Sequence, residues 1–184
     1  MSAQPIISLV PLSLEWHTEA LQQLYWATPG YWAMYNHPTP PTGQAEHDLR
    51  NAVETPGRTL LGIVCRVEET NGTANGELVG IIDFRLDWPD EGMAYLGLVM
   101  VAEPYQRQGI GRAAWKLLRP WLARQAQIQK VRVAVEQFNP SALQFFASLG
   151  FTVTGEARRL QIGGKFVRLL YMELASPSVR GTDP

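Results

Sequence analysis

Apolar and polar positions recur along this chain with a changing period, and each change marks an element. "PIISLVPLS" is an apolar, β-like run near the N-terminus, and Pro11 suits the end of a strand or an edge position. From residue 14 to residue 27, Leu14, His17, Leu21, Leu24 and Tyr25 approximate one helical face. "TPGYWAMYNHPTPPTG" reads as a proline- and glycine-rich loop, and "TGQAEHDLRNAVET" as a shorter helix ending near Pro56. The middle of the chain is β. "RTLLGIVCRVEE" and "GELVGIIDFRLDW" flank "NGTANG", a hairpin-type loop, and "GMAYLGLVMVA" extends them into an antiparallel meander.

Helical spacing returns through Ala114, Leu117, Leu118, Trp121 and Leu122. Pro120 lies inside this run, where it removes a backbone donor and predicts a bend or a break. "VRVAVEQF" is a further strand. "NPSALQFFASLGF" then carries the clearest local signal. Asn139 suits an N-cap, Pro140 the first helical position, Phe138 with Leu143 a hydrophobic staple, and Gly150 the C-terminal cap. Ala142, Phe145, Phe146 and Leu149 form its apolar stripe. "FTVTGEARRLQI" and "KFVRLLYMEL" pair around a turn at Gly163-Gly164, followed by a polar tail.

This order predicts an α/β (α+β) fold: a mixed, mostly antiparallel central sheet of about seven strands with helices on both faces. One strand–helix–strand crossover should be parallel and right-handed. No repeat or long linker divides the chain, so residues 1–175 are expected to form a single domain and 176–184 a loose polar tail.

Composition narrows the function. The chain is 46 % apolar and 18 % charged, an ordinary globular balance. A formal net charge of −1 gives no electrostatic footprint for nucleic acid or an anionic membrane. No run approaches the ~20 apolar residues of a membrane helix, and the N-terminus lacks the basic start of a signal peptide. The one cysteine, Cys65, excludes an intrachain disulfide and fits a cytoplasmic location; in "LLGIVCRV" it is expected to be a core thiol. His17, His37 and His47 are too dispersed for a metal-ligand pattern, so no metal is expected.

The segment with the most chemical content is "QRQGIGRAAW" at residues 106–115. Its glycines admit three readings. They could form a plain turn between strand and helix. "GIGRAA" also fits the G-x-G-x-x-A dinucleotide fingerprint, with Glu136 ending the next strand as the ribose acid. Against that, "EPYQRQ" separates the strand from the first glycine, the motif follows a meander, and too little chain remains for a full dinucleotide domain. Third, amides from Arg107 to Arg112 could cradle a pyrophosphate at a helix N-terminus, with Arg107 and Arg112 adding positive charge.

The loop and its surroundings resemble the GNAT superfamily of acyl-CoA-dependent N-acyltransferases. "QRQGIG" matches that family's Q/R-x-x-G-x-G/A motif. "LGLVMVAEPYQRQGIGRAAWKLL" is similar to its central strand, loop and helix, and "VRVAVEQFNPSALQFFASLGF" to its next strand and helix. The likeness is specific over residues 77 to 174 and rests on element order alone over residues 1 to 60.

The resemblance implies splayed central strands with acetyl-CoA as co-substrate between them. Val99, Met100 and Val101 would pair with the pantetheine arm, and the Val99 N–H would stabilise an oxyanion. Gln106, Arg107, Gln108, Gly109, Ile110, Gly111 and Arg112 would hold the pyrophosphate. Asn139 would contact the pantetheine, cap its helix, or both. Phe146 falls in the cofactor-facing place where family members often carry a tyrosine acid, and a phenyl ring cannot donate a proton. Tyr95 occupies the place where some members carry a carboxylate base.

The attacking amine must lose a proton. Glu136 is the first candidate base, with Asp83 and Asp87 on the neighbouring strand as alternatives. Trp26, Tyr31, Trp32 and Tyr35 cluster where the family lines its acceptor pocket, and Asp83 is expected on that acceptor side. Aromatic walls suit an apolar body or a cation. The implied function is transfer of an acetyl or other acyl group from acetyl-CoA to a primary amine, on a small molecule or a peptide, by direct attack in a ternary complex. A non-catalytic acyl-CoA-binding sensor is the alternative that Phe146 supports, and assembly as a homodimer is left open.

Overall fold

The computed structural model describes residues 6–68, 74–124, 128–162 and 164–175. The expected polar tail, part of the expected "NGTANG" loop, and Gly163 lie outside these residues. In chain order the elements are β1 (Ile6–Pro11), α1 (Leu14–Trp26), α2 (Pro29–Met34), α3 (Gln44–Glu54), β2 (Arg58–Glu68), β3 (Ala74–Leu86), β4 (Met93–Val101), α4 (Ile110–Arg124), β5 (Lys130–Glu136), α5 (Pro140–Ser148), β6 (Thr152–Ile162) and β7 (Lys165–Ala175). A single 3-10 turn, Glu103–Tyr105, links β4 to the glycine loop.

The strands form one mixed sheet of seven, in the order β1-β2-β3-β4-β5-β7-β6. β1 pairs antiparallel with β2, and β4 pairs parallel with β5 as the crossover rule requires. The C-terminal hairpin folds back so that β7, not β6, pairs with β5. β6 is therefore an edge strand. A register irregularity between Val153 and Ala157 and the exposed Arg158 and Arg159 make it a poor template for further pairing. Pro11 likewise lies on an edge strand, where its missing donor costs no ladder bond.

Contacts divide the chain into two compact units. The first comprises residues 1–83 with 98–118, and the second 84–97 with 119–184. In the first, α1 and α3 supply Leu21, Leu24, Tyr25, Ala45 and Leu49, which pack with Leu60, Ile81 and Met100. In the second, alternate residues Val131, Val133 and Val135 of β5 are buried, as the period of a strand dictates.

One local expectation changes, and one is narrowed to its first alternative, a bend rather than a break. The proline- and glycine-rich loop contains the short helix α2, which starts at Pro29 because a fixed φ and a missing amide suit a first helical position. Pro120 lies within α4 without ending it, since the helix runs on to Arg124. α5 follows its sequence signals closely. The Asn139 side chain accepts the Ala142 amide at 3.1 Å, and Gly150, at φ 97°, closes the C-terminus as its amide donates to Ala147.

Candidate active site

In the first unit, residues 98–101 of β4 lead to the glycine loop. Met100 is buried, and its sulfur accepts the Thr28 hydroxyl at 3.4 Å. The Ala102 amide donates to Val79 at 2.8 Å, so that end of β4 is bonded to β3. β3 comes close here: a Cβ on Gly80 would lie 2.5 Å from the Met100 carbonyl oxygen. Backbone groups alternate sides along a strand. Val101 accordingly turns its carbonyl away from β3, where it accepts the Gln106 side-chain amide at 2.8 Å. The parallel ladder to β5 pairs Met93–Leu96 with Lys130–Val133 and stops there, although β4 continues to Val101.

The loop beyond is stiffened by its own side chains. Gln106 holds Val101, Gln108 donates to the Pro104 carbonyl at 2.9 Å, and the Tyr105 hydroxyl donates to Glu77 at 2.5 Å. The bond to Glu77 raises the Tyr105 pKa, with burial adding to it. Both glutamine side chains thus brace the loop, which leaves its backbone as the source of ligand donors. Arg107 is left-handed at φ 62° and Gly109 at φ 82°. A non-glycine residue in that region costs about 1–2 kcal/mol, a strain typical of functional loops. A Cβ on Gly109 would meet nothing within 4 Å, so the space over it is open.

α4 begins at Ile110, which is buried and anchors the helix start. The Ala113 amide donates to the Gly109 carbonyl, so the amides of Ile110 and Gly111 precede the helical ladder. An open space over a left-handed glycine, the amides of a helix start and two exposed arginine side chains together fit a pyrophosphate.

The aromatic residues predicted on the acceptor side divide among three settings. Trp32 is 8 % exposed and its indole N–H donates to the Tyr25 carbonyl at 2.9 Å; it is a core residue. Tyr31 and Tyr35 are half-buried and stack edge-to-face, Tyr31 on Trp32 at 5.1 Å and on Tyr35 at 5.4 Å. Trp26 is exposed and lines an open cleft of about 510 Å³ with Trp16, Glu15, Glu19 and Glu46. Tyr25 donates its hydroxyl to Asp48 at 2.8 Å, and burial, reinforced by Asp48, pushes its pKa up strongly.

Asp83 is engaged by Arg58, whose guanidinium reaches both carboxylate oxygens at 2.6–3.2 Å. That bond raises the Arg58 pKa, against the effect of burial. To act as a base or to hold an acceptor cation, Asp83 would have to give up this pair. Asp87 is left-handed at φ 51° and accepts the Gly92 amide at 2.9 Å, a turn-forming role. Cys65 is buried, and burial followed by Glu77 raises its thiol pKa.

The remaining predicted residues lie in the second unit. Glu136 ends β5, with its carbonyl accepting the Asn139 amide at 2.9 Å. Tyr95 and Tyr171 are within electrostatic reach of each other, and Glu136 acts on Tyr95 as well. Burial first, then Tyr171, push the Tyr95 phenol up to about 12, so it stays a proton donor at neutral pH. The sequence reading treats Tyr95 only as the absence of a carboxylate. Its place on β4, where it pairs in register with Arg132 of β5, is what puts it among these groups. Phe146 is 6 % exposed and stacks edge-to-face on Phe151 at 5.4 Å, so packing accounts for its ring.

Among the described residues no group of three or more His, Cys, Asp or Glu side chains could hold a metal ion. No helix among them is long and apolar enough to cross a membrane.

The model of the Acetyltransferase (GNAT) family matches residues 18–151. A search of curated protein sequences found no match. Among solved structures, the chain is similar to an acetyltransferase from Thermus thermophilus, with a TM-score of 0.70 at 23 % identity over 95 % of this chain and 99 % of that one. It is similar to the ribosomal-protein-S18-alanine N-acetyltransferase of Escherichia coli, with a TM-score of 0.67 at 19 % identity over 97 % and 99 %. A third is the spermidine N-acetyltransferase of Vibrio cholerae in complex with CoA and spermine, with a TM-score of 0.68 at 13 % identity over 92 % and 95 %. At these identities the structural likenesses establish the fold.

Proposed function

The chain belongs to the GNAT acetyltransferase family, and on that premise we propose that it transfers an acetyl group from acetyl-CoA to a primary amine by direct attack in a ternary complex. The observation that carries this reading is the open loop between β4 and α4. Its left-handed Gly109, braced side chains and helix-start amides suit a pyrophosphate, and it directly follows a strand whose last carbonyl, that of Val101, accepts the Gln106 side chain.

In this reading the amides from Arg107 to Arg112 take the pyrophosphate, and the α4 dipole favours its charge by roughly 0.3–1 kcal/mol. Val99, Met100 and Val101 form the strand on which the pantetheine arm lies. The Val99 N–H donates to the thioester oxygen and gains strength as that oxygen becomes an oxyanion, which lowers the barrier selectively. The amine nitrogen forms its bond to the carbonyl carbon, the C–S bond breaks, and CoA leaves as a thiolate. A thiolate is a stable enough leaving group to depart without a dedicated acid, which accommodates the packed phenyl ring of Phe146. Glu136 takes the amine proton. It is preferred for its place at the end of β5, just before α5.

The acceptor side of the reading is α2 with its half-buried Tyr31 and Tyr35. Two of the similar structures are of enzymes named for different amine acceptors, a polyamine and a protein alanine, so the acceptor is assigned here only as an amine.

The test is to incubate the protein with acetyl-CoA and a panel of polyamines, amino acids, peptide N-termini and lysine peptides while following release of free thiol. Amine-dependent release is expected with one class. Saturable acetyl-CoA binding without release on any amine would overturn the transfer step. A thermal shift with NAD but none with acetyl-CoA would overturn the cofactor; a ligand at 100 times its dissociation constant adds about 2.7 kcal/mol.

A further inference from the structure

α2 is six residues long, too short to persist without tertiary support. Its own sequence does not cap it. The Thr28 hydroxyl turns back to donate to Tyr25 at 2.9 Å and makes no cap bond. Pro29 has no amide to offer. The first amide of the helix is therefore that of Gly30, and it donates to the Glu103 carboxylate at 2.7 Å. Glu103 also donates its own amide to the Ala27 carbonyl at 2.9 Å, on the other side of the α1–α2 junction. A residue 73 positions along the chain thus caps the helix and grips the turn that precedes it.

The same residue is wired to the cofactor side. The Glu103 carbonyl accepts the Gln106 amide at 3.1 Å, and Gln106 in turn holds Val101. Gln106 and its neighbours form the loop that the proposed function gives to pyrophosphate.

From these bonds we infer that Glu103 is a positioning residue that couples occupancy of the cofactor loop to the order of α2. The inference rests on the proposed cofactor role of that loop. When CoA fixes residues 106–112, the 3-10 turn bearing Glu103 is fixed with them, and the carboxylate holds the first amide of α2. The helix then presents Tyr31 and Tyr35 in one arrangement. The order of events follows: cofactor first, a defined acceptor surface second.

Hydrogen exchange read with CoA as the probe separates this from a purely structural role. In the unaltered protein, CoA should slow exchange of amides 106–112 and also of 30–35, the latter about tenfold, as one charge-assisted hydrogen bond would give. Glu103→Ala should keep the first protection and lose the second. Glu103→Gln, whose side-chain oxygen still accepts, should retain both. Gly30→Ala tests the same bond from the other side, since the new Cβ would lie 2.9 Å from the Glu103 oxygen and displace it; it should behave as Glu103→Ala and keeps the test open if that variant does not fold. Protection of 30–35 by CoA that is equal in the unaltered protein and both of these variants overturns the inference alone. So does protection of the loop without α2 in the unaltered protein. No protection of 106–112 in the unaltered protein overturns the cofactor reading and the inference together.

Discussion

Replacing Gly109 by alanine separates a cofactor cradle from a plain chain reversal. The residue sits at φ 82° with nothing within 4 Å of a built Cβ, so the substitution adds backbone strain and no clash within the protein. An L-residue in the left-handed region costs about 1–2 kcal/mol, which for a chain of this size lowers Tm by about 2–8 °C. A ligand meets a different obstacle, because the methyl group occupies the open space over the loop. Pushing a phosphate away from the backbone weakens one or two charge-assisted hydrogen bonds at about 1.5 kcal/mol each, so acetyl-CoA affinity should fall about 10- to 100-fold. Gly43 provides the control. It has φ 76° and equally open surroundings at the start of α3, so Gly43→Ala carries the same strain elsewhere in the chain. Calorimetric titration with acetyl-CoA and thermal melts on the three proteins give the comparison. Similar Tm losses in both variants are expected, with affinity lost only for Gly109→Ala. Unchanged acetyl-CoA affinity in Gly109→Ala, or an equal loss in Gly43→Ala, would refute the cradle.

Glu136→Gln should lower turnover on the best amine at least about tenfold while acetyl-CoA affinity stays within about twofold, the split expected of a proton acceptor; equal turnover removes Glu136 from the mechanism. Arg58→Ala leaves Asp83 partly buried without its ion partner, and should cost about 2 kcal/mol in urea unfolding, between the values for exposed and buried pairs; a loss under about 0.5 kcal/mol would show the pair to be solvated. For Glu173, burial raises the pKa but the bonds from Lys130 and Arg132 outweigh it, so the folded value lies below the ordinary one. A depressed folded pKa stabilises the protein above the unfolded value, near 4.3 for a glutamate, and that contribution is lost as pH falls through the folded pKa. Glu173→Gln should therefore flatten the acid side of the stability–pH curve, and an identical slope below about pH 4 would contradict the pairing.

Local grammar was legible wherever partners lie within one turn of each other. Asn139 and Pro140 start α5 as their side-chain chemistry requires, because the acceptor and the amide it serves are three positions apart. The strand pattern and the crossover also followed from period and spacing, and the family motif at residues 106–111 read correctly to the family. α2 was missed because its tyrosines and tryptophan lie among prolines and glycines that signal a loop, and its cap comes from Glu103. The insertion of β7 between β5 and β6 was also invisible, since strand pairing depends on which edge is open when the hairpin docks.

The sequence by itself determined the family, the loop-to-helix transition at Gly109 and most element boundaries, because these depend on backbone conformation and nearest neighbours. Only the tertiary structure decided what became of the chemistry-bearing side chains. Arg58 engages Asp83 from 25 positions away, Trp32 is drawn into the core and Phe146 into its aromatic stack. Tyr95, which has no acidic or basic signature of its own, becomes a half-buried phenol with a raised pKa. Ionisation, burial and pairing are properties of the groups packed around a side chain, and those groups come from distant stretches of the chain.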